Sequence, residues 1–251
     1  MHTKESYRTR IATYNIGDFS GRDFEKGSEE AKTVIRRTMG KVGADLWALQ
    51  EDVYWFGGVK DLDVYEAVYS DYPHYARQYT GDYNGKAFLS KTEVTDVERI
   101  AYVGEMRFGH PWYLRGHINM GGRDVWLYCL HFDWSDKHAR AVQITELLAD
   151  AVTREYCIIL GDFNPENYEN GELINRDLLY EAEFARFADA GFAAANTGAF
   201  GTFDTILDTD ITPCPFDNIF VTPNITLENA GRVADQWMYD HALVWADIAV
   251  H

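Results

Sequence analysis

The chain has no apolar run near the ~18 residues that a membrane-spanning helix requires, so no transmembrane segment is expected. It has no excess of positive charge. Lys and Arg number 23 against 40 Asp and Glu, a formal net charge of −17. A protein that holds nucleic acid mainly through a basic surface needs clustered cations, and this balance argues against one. It leaves room for an enzyme that meets phosphates locally, through a metal, and part of the negative charge suits a cation site. There is no cysteine framework either. Cys129, Cys157 and Cys214 are an odd number without metal-type spacing, and the first two lie in apolar runs as small buried thiols. Nothing demands an oxidising compartment. No internal repeat, low-complexity tract or linker interrupts the chain, and one domain is expected over residues 1–251. Residues 1–10 are polar and basic with no hydrophobic stretch. No signal peptide is read there, and a cytoplasmic location is expected; secretion would require a leader already removed. The oligomeric state is not legible.

What is present is apolar mass and a repeated pattern. Hydrophobic residues make up 46% of the 251, enough for one large core. The stretch Cys157-Ile158-Ile159-Leu160-Gly161-Asp162-Phe163-Asn164-Pro165 is an apolar run of strand character that stops abruptly. Side chains alternate along a strand, so Asp162 and Asn164 can point the same way as the chain leaves the sheet. Pro165 prevents further ladder pairing. In isolation this reads equally well as an Asx turn at a strand end.

Other strands end in the same manner. Arg10 to Ile16 is β-rich, with Asn15 as its polar exception. Ser28 is a plausible N-cap for a helix with Val34, Ile35, Thr38, Met39 and Val42 at helical spacing and Gly43 as its stop. Leu46 to Leu49 reads as a buried strand from which Gln50, Glu51 and Asp52 emerge. Residues 54–83 are aromatic-rich and irregular, either a wall facing substrate or surface packing. Residues 87–90 and 94–103 read as strands. Residues 113–120 and 124–130 form a hairpin across Gly121-Gly122, and its second strand ends in His131. Asp136 caps the next helix, with Ala139, Val142, Leu147 and Ala151 as its apolar stripe. After a long insertion over 165–200, with a helix at 178–190, weak strand signals appear at 202–207. Then come a strand over 216–221 carrying Asp217 and a terminal strand over 242–248 preceded by Asp240-His241.

Two packed sheets would bring these strand tips to one rim, gathering Asn15, Glu51, His131, Asp162, Asn164, Asp217, Asp240 and His241 in one pocket. Hard oxygen ligands suit Mg²⁺ or Mn²⁺, which keeps several waters and binds a substrate phosphate. A His–Asp pair orients water or steadies the transition state. The inventory suits cleavage of a phosphate ester.

At this point the chain resembles the endonuclease/exonuclease/phosphatase superfamily, which includes deoxyribonuclease I, apurinic endonucleases, sphingomyelinases and inositol polyphosphate phosphatases. Thr13-Tyr14-Asn15-Ile16, Leu49-Gln50-Glu51, Ala87-Phe88-Leu89-Ser90-Lys91, Arg115, Leu130-His131-Phe132 with Arg140 and Gln143, Gly161-Asp162-Phe163-Asn164, Phe216-Asp217-Asn218-Ile219-Phe220 and Tyr239-Asp240-His241 follow the family's order. The resemblance implies an α/β (α+β) fold: a four-layered α/β sandwich, two mixed β-sheets packed face to face with helices on the outside, as in deoxyribonuclease I. It implies Glu51 as the principal metal ligand, with Asn15 and Asp240 supporting the same metal region. The ion expected is Mg²⁺, with Mn²⁺ or Ca²⁺ as alternatives. Asp162 would position or deprotonate the attacking water, and Asn164 would assist at the phosphate. His131 would bind a phosphate oxygen or the leaving group; His241 would contact the scissile phosphate, oriented by Asp217. Two departures stand out. Gly17 occupies a position where some members carry an acidic ligand, with Asp18 one further on, which favours a single-metal site. Tyr239 replaces a usual Ser beside Asp240.

The activity expected is a divalent-metal-dependent hydrolase of phosphate esters acting on a small-molecule or lipid-type phosphate. The acidic charge and the tyrosines of 54–83 motivate that substrate. The alternative is an endonuclease or exonuclease, for which Lys86, Lys91, Arg99, Arg107, Arg115 and Arg123 would supply a local basic strip. A third reading, a binding protein without catalysis on the same scaffold, fits poorly with a site whose positions are all occupied by competent residues.

Overall fold

A computed structural model describes residues 6–20, 23–52, 65–78, 85–104, 111–165, 167–169, 172–175, 179–203, 215–234 and 240–251. Residues 54–64 and 79–83 of the aromatic-rich stretch, Arg107, the strand signal at 205–207, Cys214 and Tyr239 lie outside the described residues.

The first strand, β1 (Tyr7–Asn15), starts three residues earlier than its apolar core suggests, and its inner and outer faces are both covered after the edge. Helix α1 (Glu29–Val42) follows. Its signals are those the sequence carries: the Ser28 hydroxyl accepts from the Ala31 N–H, and Gly43 closes it in a left-handed conformation. Next come β2 (Leu46–Gln50), a short helical turn over Tyr65–Tyr69, β3 (His74–Gln78), β4 (Lys86–Ser90) and β5 (Val94–Ala101). The hairpin is β6 (Trp112–Met120) and β7 (Arg123–His131). Helix α2 (Lys137–Ala151) begins where the Asp136 carboxylate accepts from the N–H groups of His138 and Ala139. Then follow β8 (Cys157–Asp162), the small pair β9 (Asn167–Glu169) and β10 (Glu172–Asn175), helix α3 (Leu179–Asp189), β11 (Ala193–Ala194), β12 (Asp217–Val221), β13 (Ile225–Val233) and β14 (Leu243–Val250).

These strands make two six-stranded sheets, ordered β13-β14-β1-β2-β4-β3 and β11-β12-β8-β7-β6-β5. Each is mixed. In the first, β1 and β2 run parallel; in the second, β7 and β8 do. Parallel neighbours need a crossover, and α1 and α2 supply it. The core forms three apolar layers. Ile11, Leu46, Ala48, Phe88, Leu114, Leu127, Ile158, Leu160 and Val244 fill the space between the sheets. Val34, Ile35 and Met39 of α1 pack on Tyr14, Trp47 and Leu49, the outer face of the first sheet. Ile144 and Leu147 of α2 and Phe184 and Phe187 of α3 cover Leu130, Ile159 and Phe220 on the outer face of the second. The expected four-layered α/β sandwich is the observed one. Among the described residues, no helix is long and apolar enough to cross a membrane.

Two readings change. Spacing assigns Val142 to the apolar stripe of α2, but it is 39% exposed, and Ile144 takes its place against the sheet beside Ala139, Leu147 and Ala151. Edge strand β13 carries no clear alternation, since Glu228, Asn229 and Ala230 are all exposed along its middle, and its sequence does not announce it.

Candidate active site

The parallel pairs put their carboxyl ends at the same rim. In the first sheet, Asn15 is in register with Gln50, and Gln50 with Lys86. In the second, His131 is in register with Asp162, and Asp162 with Asp217. Four expected site residues, Asn15, His131, Asp162 and Asp217, therefore enter the rim by strand pairing alone.

Asp162 is the centre of the arrangement. Its Oδ2 accepts a hydrogen bond from Asn15 Nδ2 at 3.0 Å, a contact that joins the two sheets. The same oxygen lies 3.3 Å from His131 Nε2 and 3.5 Å from His241 Nε2. Its Oδ1 accepts the Asn164 N–H at 3.0 Å. Asp162 is 1% exposed, and burial pushes its pKa well up, with the charge of Asp217 adding to that and His241 opposing it. Gly161 makes the position possible. A Cβ there would stand 2.2 Å from the Leu130 carbonyl oxygen, so only glycine lets β8 lie this close to β7.

His241 is held from its other side. Its Nδ1 donates to Asp217 Oδ2 at 2.8 Å. Burial acts to lower the His241 pKa, but the carboxylates of Asp217, Asp162 and Asp240 outweigh it and raise the pKa well above the usual value. The imidazolium form is favoured. Asp217 is itself fixed at its backbone, where its N–H donates to Thr202 Oγ1 at 2.8 Å. Phe203 bridges His241 in a short antiparallel pairing and stacks on Phe216, with ring centroids 4.4 Å apart, so the dyad sits against an aromatic shelf.

On the other side stands Glu51. Asn15 Nδ2 donates to Glu51 Oε1 at 3.1 Å, while Asn15 Oδ1 accepts the Gly17 N–H. Asn15 thus meets the expected metal region as a donor that holds two carboxylates in place, one from each sheet. Glu51 has a φ of +51°, a left-handed value unusual for a side chain of this kind. Gly17, Asp18 and Phe19 opposite have φ of 54°, 55° and 57°. The two segments are tied by the Asp18 N–H to Glu51 carbonyl bond of 3.1 Å. Burial, followed by the charge of Asp18, pushes the Glu51 pKa up to about 7, with Asp240 acting in the same direction and His241 and Asn15 against it.

Asn164, with φ +43°, turns away from strand geometry, and its Nδ2 donates to the Phe132 carbonyl at 3.1 Å. Arg140 and Gln143 sit behind the rim: Arg140 Nη1 donates to the Asp133 carbonyl and Gln143 Oε1 accepts the Asp133 N–H, fixing the loop that follows His131. Arg115 lies on the outer face of β6, paired with Glu98 and Asp150, and takes no part in the rim. Two residues of the site area were not singled out by the sequence for their roles here. Asp52 is buried and accepts from Tyr69 and Tyr75 at 3.2 and 2.6 Å, tying the segment after β2 to the rim. Lys86 is buried opposite Gln50, and the charges of Glu51 and Asp162 reach it. The motif Gln50-Glu51-Asp52 hints at the first, whereas nothing in the sequence separates Lys86 from a surface lysine.

The rim joins two βαβ crossovers around a buried His–Asp pair and a set of carboxylates, an arrangement for hydrolysis at a charged ester. The chain belongs to the Endonuclease/Exonuclease/phosphatase family, whose pattern matches residues 12–237. Members are hydrolytic phosphoesterases, and this protein is an enzyme of that class. No curated protein matches it. Among solved structures, an endonuclease/exonuclease/phosphatase from Beutenbergia cavernae is similar at 17% identity and TM-score 0.75, over 97% of this chain and 72% of that one. D. rerio TDP2 complexed with single strand DNA product is similar at 16% identity and TM-score 0.69, over 96% and 98%. A Bacteroides thetaiotaomicron mannosyl-6-phosphatase is similar at 18% identity and TM-score 0.68, over 96% and 99%. At these identities the likeness is one of fold.

The family generally uses divalent metal ions, and the residues present fit one. Buried or half-buried carboxylates of Glu51, Asp162, Asp217 and Asp18 crowd the rim; burial with neighbouring carboxylate charge drives the pKa of Glu51 and Asp162 upward, and burial raises that of Asp18 against its ion pair with Lys26. Asp18 Oδ1 and Asp217 Oδ1 are buried without a hydrogen-bond partner. Such a donor set is short of positive charge. Asp162, Asp217 and His241 offer ligand atoms within 4.8 Å of one another.

Proposed function

We propose that the protein is a divalent-metal-dependent hydrolase of phosphate esters, organised as one domain, that acts on a small-molecule or lipid-type phosphate. The observation that carries this reading is the meeting of Asn15, His131 and His241 on the single oxygen Asp162 Oδ2.

Glu51 would hold Mg²⁺ or a similar ion, with Asn15 fixing its carboxylate and Asp240 adding charge nearby. When bound, the ion supplies positive charge to the phosphoryl oxygens and the leaving group. The Asp162–Asp217–His241 cluster is the other candidate seat. There, however, His241 Nδ1 is engaged by Asp217 and the ring favours its protonated form, which repels a cation and offers no lone pair at Nε2. That imidazolium suits a phosphate oxygen instead, with Asp217 orienting it. Asp162 keeps a proton more readily than a free carboxylate, which suits it to take one from an attacking water near neutral pH. His131 faces the same oxygen and serves the phosphate or the leaving group. Asn164, tied to Phe132 and to Asp162 through its backbone, holds that carboxylate's aim and brings its amide to the phosphate side.

The second reading, a nuclease, draws on the fold shared with a TDP2 that carries a DNA product. Three of the six cations that would form its basic strip are withdrawn from it. Lys86 is buried, Lys91 pairs with Asp45, and Arg115 is neutralised by Glu98 and Asp150. Of the tyrosines offered as a substrate wall, Tyr69 and Tyr72 are buried against the first sheet. The net charge of −17 is what remains in favour of a small substrate.

Turnover of bis-p-nitrophenyl phosphate, plasmid DNA, phosphoinositides and sphingomyelin with Mg²⁺ or Mn²⁺ tests the reading. Metal-dependent hydrolysis of a small or lipid ester, with plasmid left intact, is expected. Plasmid cleavage that outpaces the small esters favours the nuclease, and no hydrolysis of any ester without metal binding refutes both.

A further inference from the structure

Lys86 is the first residue of β4, in register with Gln50 of β2 and Gln78 of β3. It is 1% exposed, and its Nζ has no hydrogen-bond partner. The ammonium lies 4.0 Å from the centre of the Trp112 ring, across the gap between the sheets. A buried ammonium without an acceptor is costly, and a cation–π contact returns only part of that cost. The charges that reach it belong to the Cys129 sulfur, Glu51 and Asp162. Cys129 is a poor candidate to balance it, because burial pushes that thiol up to about 12 and keeps it neutral. Lys86 pairs in register with Gln50, the residue before Glu51, and the carboxylates whose charge reaches it are Glu51 and Asp162. Burial pulls its pKa down to about 8 against those charges, which leaves it cationic at neutral pH.

We propose that Lys86 is a positioning residue acting as a built-in counter-cation: buried at the start of β4 beside Gln50, it competes with the divalent ion for the charge of Glu51 and Asp162 and adds to the pull on an incoming phosphate. The inference rests on the reading of Glu51 as the metal seat. It makes a prediction of opposite signs. Removing the ammonium tightens the metal and loosens the phosphate, whereas a merely structural defect loosens both.

The test uses the whole chain, with Lys86→Met as the neutral near-isostere and Lys86→Gln as a second neutral variant. Calorimetric titration with Mn²⁺ alone, then with inorganic phosphate at saturating Mn²⁺, reads the two affinities at pH 7. For either variant the Mn²⁺ dissociation constant is expected to fall by about tenfold and the phosphate constant to rise several-fold, the scale of a single charge at effective dielectric ~20. Equal or weaker Mn²⁺ binding in a folded variant overturns the proposal while wild-type binding leaves the metal seat standing. A wild-type protein that binds no Mn²⁺ removes the seat and the proposal together. Failure of both variants to fold overturns it too, since the charge would then serve the structure.

Discussion

The unit β1–α1–β2 and the unit β7–α2–β8 share one plan. Each sets two parallel strands side by side, crosses over with an outer helix and delivers polar side chains at the carboxyl ends. They are finished differently. The second unit relies on the ladder: His131, Asp162 and Asp217 stand in register on adjacent strands, and Gly161 closes the gap between two of them. Its Asp217 carboxylate is paired with His241, which the segment leading into β14 of the first sheet delivers. The first unit leaves the ladder at once. Gly17, Asp18, Phe19 and Glu51 all take left-handed backbone, and the Glu51 carboxylate has Asn15 as a neutral donor with Asp18 and Asp240 as repelling neighbours. Left-handed backbone in non-glycine residues costs on the order of 1 kcal/mol or more each and persists only where surroundings enforce it. In the second wall Asp217 meets a hydrogen-bonded imidazolium, whereas in the first the hydrogen-bond donor to Glu51 is the neutral amide of Asn15, which leaves that carboxylate shaped to receive a metal ion.

Breaking the second wall is expected to give the largest effect. Asp162→Asn removes the oxygen on which Asn15, His131 and His241 converge, and steady-state kinetics should show kcat down by about 10³-fold or more, the upper range for a single preorganised group. Gly161→Ala forces a methyl group into the Leu130 carbonyl, and thermal or urea unfolding should register a loss of roughly 3 kcal/mol or more. Asn15→Ala uncouples the walls. Loss of a partner that orients a metal-binding carboxylate typically costs 10–100-fold, and a drop of that size in Mn²⁺ affinity is expected.

The first wall also answers to pH. A carboxyl whose pKa is raised to about 7 in the folded state binds its proton more tightly there than in the unfolded chain. Without metal, Glu51 therefore favours folding at low pH, and that contribution is lost between about 4.5 and 7 as pH rises. Mg²⁺ reverses the loss. The rise in melting temperature on adding Mg²⁺ should be larger at pH 8 than at pH 5, and a shift independent of pH would remove Glu51 from the seat. The smallest effect belongs to Arg115, which touches neither wall. Arg115→Met should leave kcat within about twofold while lowering the melting temperature slightly, since partly exposed ion pairs contribute ~1 kcal/mol or less.

The second wall was far more legible in the sequence than the first. Apolar runs that stop at His131 and at Asp162 announce strand, rim and side chain together, because ladder register carries side chains to a predictable face. Helices α1 and α2 were legible through Ser28, Gly43 and Asp136, whose capping roles are local chemistry. The turn after Asn15 was not. Asp18 reaches Glu51 only because three residues adopt a left-handed path, and no periodicity encodes that. Lys86 reads in the sequence as part of a basic strip but is buried, for a related reason. Its burial follows from Trp112 on the facing sheet, a contact that sequence spacing does not reveal. The exposed position of Val142 shows the same limit on a helix, where the apolar stripe is decided by which residues meet Leu130 and Ile159.

The division of labour between the walls is most directly tested by Mn²⁺ titration of three proteins: wild type, Glu51→Gln and Asp217→Asn. Glu51→Gln is expected to lose metal binding, and Asp217→Asn to bind Mn²⁺ within a few-fold of wild type while its turnover collapses. Metal binding that survives in Glu51→Gln and is lost in Asp217→Asn would place the ion at Asp162, Asp217 and His241, and would contradict that division.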